Sequence, residues 1–141
     1  MGVLTDLIIA DKNEAETVAN SPTPWSEWKG FDAKGHNEIT LGTLDCILRG
    51  ADFSQAHLID FPFLATASDE GPWVFEVPNE LLLGLTRLDN YQITAIAAKW
   101  LETEEMDSAT QDYAEDFIKE FQLLAKEAID QNKPILMWTS L

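Results

Sequence analysis

The chain has a single cysteine, Cys46, and that scarcity excludes two classes of protein. An intrachain disulfide cannot form, and a zinc site built on several thiolates has no ligands. Basic residues are scarce as well: nine lysines and arginines stand against 25 acids, a formal net charge of −16. Such a surface repels phosphate backbones and anionic bilayers, and no basic patch offsets it. The reading therefore expects neither nucleic acid nor membrane as a partner. Long apolar runs are missing too, since none approaches the roughly 18 residues that cross a bilayer.

Motifs of chemistry are equally sparse. The start, MGVLTDLIIADKNEAE, has no basic n-region or small-residue cleavage site, and Asp6 stands where a myristoylation signal needs Ser or Thr. A soluble, cytoplasmic protein is the expectation. Gly30 and Gly35 flank FDAK near Lys34, but the order GxxxxGK[ST] does not occur, nor do a dinucleotide fingerprint, GxSxG, HxH or HExxH. No cofactor and no metal is implied by motif.

What is present suits one globular domain. A chain of 141 residues with 45 % apolar content can bury roughly 70 % of its unfolded surface without a covalent staple. Residues 3–10, VLTDLIIA, read as a central strand because apolar side chains run on without alternation. Asp11 and Glu14 have capping-box spacing and predict a helix over 12–20, stopped by SPTP at 21–24. Residues 24–36, PWSEWKGFDAKGH, read as irregular or weakly extended, with Gly30 and Gly35 marking turns.

The spacing of Leu41, Leu44, Ile47 and Leu48 predicts a helix over 39–49, with Asn37 or Thr40 capping it and Gly50 at C′. Residues 51–72 show no clear period and end in a turn at 69–72. WVFEV, 73–77, is a strand candidate. Pro78-Asn79-Glu80 opens a helix bearing Leu81, Leu82, Leu85 and Leu88. The stripe Ile93, Ile96, Ala97, Trp100 and Leu101 predicts another helix over 91–103. Ser108 and Gln111 form a capping box for the last helix, whose apolar face is Tyr113, Phe117, Phe121, Leu124 and Ala128. After Asn132 and Pro134, PILMWTSL closes the chain as a strand. The expected fold is α+β: one domain over 1–141, with the two terminal strands in one small sheet and about five helices packed on it.

This order of parts resembles the YfbM-like family of small bacterial domains. The matching stretches are LGTLDCILRG, VPNELLLGLTRL and DYAEDFIKEFQLLAKEAIDQNKPILMWTSL, which together with the opening strand span most of the chain. The resemblance implies an α+β fold and brings no activity and no catalytic residues.

Two surfaces invite a functional reading. Glu102, Glu104, Glu105, Asp107, Asp112, Glu115 and Asp116 fall within fifteen residues that hold no lysine or arginine. Acids near the start of the last helix suit its dipole, whereas Glu102, Glu104 and Glu105 are read as closing the preceding helix, where the dipole opposes them. A negative knob results, which reads as a solvated loop of an acidic protein, as a surface for a basic protein partner or as a seat for a divalent cation. Trp28 and Phe31 are expected to seal the core and Trp25 to stay exposed as a contact residue. The preferred reading is a non-enzymatic interaction module, inhibitor-like or immunity-like, that docks a basic protein through Glu102, Glu104, Glu105, Asp107 and Trp25. The competing reading is a small-molecule-binding or metal-binding domain, or a modest hydrolase, with a pocket near His36, Cys46 and His57; its metal variant adds Asp45, Asp52 and Asp60.

Overall fold

Strand β1 (Leu4–Ile9) and strand β5 (Ile135–Ser140) lie side by side and antiparallel, in unbroken register from Leu4 opposite Ser140 to Ile9 opposite Ile135. The structure, a computed structural model, describes residues 4–33, 35–50 and 60–141. Both faces of β1 are covered, which explains its continuous apolar run. Leu7 and Ile9 enter one core, Ile8 and Ala10 the other. Strand β2 (Gly30–Asp32) pairs with the free side of β1, and strands β4 (Trp73–Glu76) and β3 (Phe63–Thr66) extend the sheet beyond β5. The order is β2-β1-β5-β4-β3, with every pairing antiparallel.

The larger core lies under helices α3 (Glu38–Arg49), α4 (Asn79–Thr86), α5 (Asn90–Trp100) and α6 (Gln111–Asp130). Helices α1 (Ala15–Ala19) and α2 (Pro24–Glu27) cover the opposite face, where Val18 packs with Ile8, Val74, Leu136 and Trp138. Together these elements make the α+β fold that the sequence predicts, with both terminal strands in its sheet. Helix α3 starts as expected: the Asn37 side chain accepts from the N–H groups of Ile39 and Thr40. It ends at Gly50, which takes the left-handed φ of 69° that favours glycine at this place. Helix α6 buries Phe117, Phe121, Leu124 and Ala128 on the stripe its sequence spells out.

Five expectations need correction or refinement. The segment 24–36 is more regular than expected at its start, and its weakly extended alternative holds at 30–32. Pro24 occupies the first turn of α2, where its missing N–H costs nothing, and β2 follows. Gly30 does not mark a turn; it lies in β2 opposite Ile8, and an added Cβ would stand 2.1 Å from the Leu7 carbonyl oxygen. Within the aperiodic stretch 51–72, residues 63–66 form the edge strand β3. Helix α5 stops at Trp100 rather than 103, because the Thr103 N–H and hydroxyl both donate to the Trp100 carbonyl. Lastly, the N-cap of α6 is Thr110, whose hydroxyl accepts from the Tyr113 N–H at 3.2 Å; Ser108 precedes the helix.

Candidate functional site

Between the end of α5 and the start of α6, the chain makes a single 3-10 turn over Glu104–Met106. Met106 is buried in the larger core and pins the turn, so Glu104 and Glu105 point outward beside exposed Glu102 and Asp107. The dipole penalty expected for three glutamates therefore falls away for Glu104 and Glu105, which lie beyond the helix end. Among the described residues, ion pairs join Lys12 to Glu76, Arg49 to Asp45 and Glu80, and Lys133 to Asp11. None reaches the knob. Of the acids in α6 nearest to it, Glu115 is held by neutral donors, Gln111 at 2.8 Å and Thr94 at 3.2 Å.

Glu105, one residue of the knob, lines a cleft of about 500 Å³. Ser108, Thr110, His36, Thr40 and Tyr113 line it as well. His36 is the anchor of this floor and is only 5 % exposed. Its Nδ1 lies 3.0 Å from the Thr40 hydroxyl, and its Nε2 lies 3.0 Å from the Tyr113 hydroxyl. Whichever nitrogen carries the proton, both have a partner. The ring stacks on Trp100 at 5.1 Å and packs against Phe117 at 4.2 Å. Burial among these rings drives the imidazole pKa down to about 4, so His36 is neutral at pH 7. Thr40 ties the assembly to α5, since its carbonyl accepts from the Trp100 indole N–H at 3.1 Å.

This geometry gives the cleft hydroxyls and one carboxylate without a poised base. His36 has no free nitrogen, and the Tyr113 phenol is pushed above its usual range, by burial first and by Asp32 second. Cys46 is fully buried on α3 and does not line the cleft, so the structure does not join it with His36 in one pocket. His57 and Asp52 lie outside the described residues. Asp45 is committed to Arg49 at 2.7 Å, and among the described residues no three metal-ligating side chains converge.

Trp25 is 49 % exposed. Its N–H donates to Asp6, whose register partner Trp138 belongs to the smaller core, so it lies in the layer opposite the knob. The surface expected to combine Trp25 with Glu105 is therefore two surfaces. Trp28 packs against the smaller core and Phe31 against Phe117 and Phe121, which makes both of them seals. Tyr113 is the cleft residue that sequence reasoning missed as a polar group. The signal was its hydroxyl at the head of an otherwise aliphatic and phenylalanine stripe, because a half-buried phenol needs a partner.

No family model, no curated protein and no solved structure matches this chain. Among the described residues, no helix is long and apolar enough to cross a membrane.

Proposed function

We propose that this protein is a non-enzymatic binding module whose working surface is the acidic rim of the His36–Tyr113 cleft. Its partner is a basic protein segment, and the cleft receives one cationic side chain of that segment. One observation carries the reading: Glu102, Glu104, Glu105 and Asp107 stand exposed without an ion pair among the described residues, and Glu105 also walls the cleft. The described lining offers the Glu105 carboxylate and the hydroxyls of Thr40, Ser108, Thr110 and Tyr113, oxygen acceptors suited to an ammonium or guanidinium donor. Charges left unpaired at a rim accelerate encounter with an opposite field and set specificity more than affinity. The neutral, doubly hydrogen-bonded state of His36 and the burial of Cys46 support a binding role over a hydrolytic one. The resemblance of the sequence to YfbM-like domains brings no activity that conflicts with this reading. A second reading, a small organic cation bound in the same cleft, draws on its volume of about 500 Å³, which falls in the range of small-molecule sites.

The test is fluorescence anisotropy with a labelled Lys/Gly peptide, titrated at 25 and 250 mM salt against the native chain and against a variant with Glu102, Glu104, Glu105 and Asp107 all amidated. The variant remains strongly acidic, so general charge attraction survives in it. Binding to the native chain should weaken steeply with salt, and the variant should bind at least about tenfold more weakly. Equal binding by both proteins, or indifference to salt, would remove the knob from the interface. Binding of tetramethylammonium in the cleft, without binding of the peptide, would favour the second reading.

A further inference from the structure

A second groove, of about 330 Å³, lies on the outer side of the larger core between α3, α4 and α5. Its character is the reverse of the acidic cleft. Leu48, Leu88, Ala95 and Ile96 make it predominantly apolar, and Arg87 and Lys99 stand at its rim. Both cations are exposed and form no ion pair among the described residues. The chain has 25 acids, yet no described acid lines this groove. Gln92, Ala95 and Lys99 recur on one stripe of α5, while Ile93, Ala97 and Trp100 turn the opposite stripe into the core.

Gly84 adds an independent observation. It sits inside α4 on the wall of the groove, and a glycine there costs up to about 1 kcal/mol relative to alanine. Neither of the usual reasons for glycine applies. It is not among the positive-φ glycines, and an added Cβ would meet Leu48 at 3.5 Å, an ordinary contact. What the absent side chain does achieve is to leave the groove open.

We propose that this groove is a binding site for a small amphipathic carboxylate, with the carboxylate at Arg87 and Lys99 and a short apolar tail along Leu48, Leu88 and Ile96. The chemistry has two parts, and both are needed. The net charge of −16 opposes any anion, but at physiological salt the screening length is about 8 Å, so the two rim cations decide the local field. Two exposed cations alone would hold a carboxylate weakly, and the tail supplies the remaining attraction by leaving water. The volume lies at the small end of ligand sites, which favours a tail of roughly six to eight carbons over a long lipid chain. This proposal is independent of the acidic cleft.

Isothermal titration of the full chain with sodium octanoate tests it, with octan-1-ol and octylammonium as controls and backbone amide shifts to locate the ligand. Octanoate should bind one to one with a dissociation constant on the order of a millimolar or below. Its amide shifts should cluster around Leu48 and residues 84–99. Octanol should bind at least about tenfold more weakly, and octylammonium more weakly still. The double variant Arg87→Gln, Lys99→Gln should lower octanoate affinity by at least about tenfold and leave octanol unchanged. Gly84→Leu should abolish binding of both, while Gly84→Ala checks that α4 tolerates a side chain there. Absence of octanoate binding, equal binding of octanoate and octanol, or native affinity in either the double variant or Gly84→Leu overturns the proposal. So does capture of an acidic, leucine-containing peptide in the groove where octanoate fails, which would make the occupant a protein segment.

Discussion

Two buried ionisable groups, one on each face of the sheet, are of opposite kind; a third, Asp45 on α3, is paired with Arg49. On the side of α3–α6 lies His36, clamped by Thr40 and Tyr113 and stacked on Trp100. On the side of α1 and α2 lies Asp6, 4 % exposed, which accepts one N–H from Trp25 at 3.1 Å and has Asp32 as its register partner on β2. Desolvation acts on both by disfavouring charge. It pushes the His36 pKa down to about 4, and it raises that of Asp6 to about 6, with Trp25 pulling the latter back and Asp32 adding to it. The lesson lies in the partners. His36 is neutral at pH 7 and fully satisfied, so burying it is harmless there. Asp6 is charged at pH 7 against the desolvation that raises its pKa, and it lies close to a like charge, so it is a standing liability.

The consequences for stability have opposite signs in nearly the same window. Unfolded, His36 takes its proton near 6.5, and folded it does so only near 4. Between those values the unfolded chain binds the extra proton, so stability falls as pH drops from about 6.5 to 4. Asp6 releases its proton near 3.8 when unfolded and near 6 when folded. Here the folded chain binds the extra proton, so stability rises as pH drops from about 6 to 3.8. Each effect amounts to about 3 kcal/mol, and in the native chain they nearly cancel. Asp6→Asn should break the balance: the variant should be more stable than the native chain by up to about 3 kcal/mol at pH 7, and the gain should vanish by pH 4. His36→Gln should show the reverse pattern, with a deficit at pH 7 that narrows toward pH 4. Urea denaturation at pH 4, 5, 6 and 7 measures both, and an Asp6→Asn variant no more stable than the native chain at pH 7 would refute the account of Asp6.

A smaller effect sharpens the same contrast. Tyr113→Phe keeps the ring that stacks on His36 at 6.0 Å but removes the hydroxyl that partners Nε2. The buried nitrogen then has no protein partner, at a cost of about 1–2 kcal/mol at pH 7. If water from the adjoining cleft replaces the hydroxyl, the loss in denaturation experiments should shrink below about 0.5 kcal/mol. That outcome would mean that the cleft, rather than Tyr113, completes the histidine.

Much of this arrangement was legible in the chain, and its limits are physical. Strands β1 and β5 announced themselves because buried strands need continuous β-branched and apolar side chains. Helix α3 was marked at both ends by Asn37 and Gly50, whose side-chain chemistry and backbone freedom are local properties. Pro24 was ambiguous because the same ring ends one helix and suits the first turn of the next. Gly30 was misread because its role is to admit the Leu7 carbonyl, a contact made by another strand. The acidic knob could be read directly as a run of charge. Its union with His36 could not, since residues 36 and 113 are 77 positions apart and meet only when the segment ahead of α3 folds against the first turns of α6. Trp25 was correctly expected to be exposed, but no local pattern reveals on which side of a sheet an exposed residue will stand.

That last point supports the smallest prediction. Trp25 is exposed on a four-residue helix, and its hydrogen bond to Asp6 comes from the main-chain N–H, not from the indole. Trp25→Ala should therefore change stability by less than about 0.5 kcal/mol, the usual scale for a surface substitution. The Asp6 effect should also persist unchanged in this background, because alanine keeps the same N–H. Denaturation of Trp25→Ala and of the double variant with Asp6→Asn, at pH 4 and 7, gives both quantities. A larger loss would mean that the indole itself shields Asp6 from water. The raised pKa of Asp6 would then rest on one exposed side chain, and whatever covers Trp25 would also tune the charge beneath it.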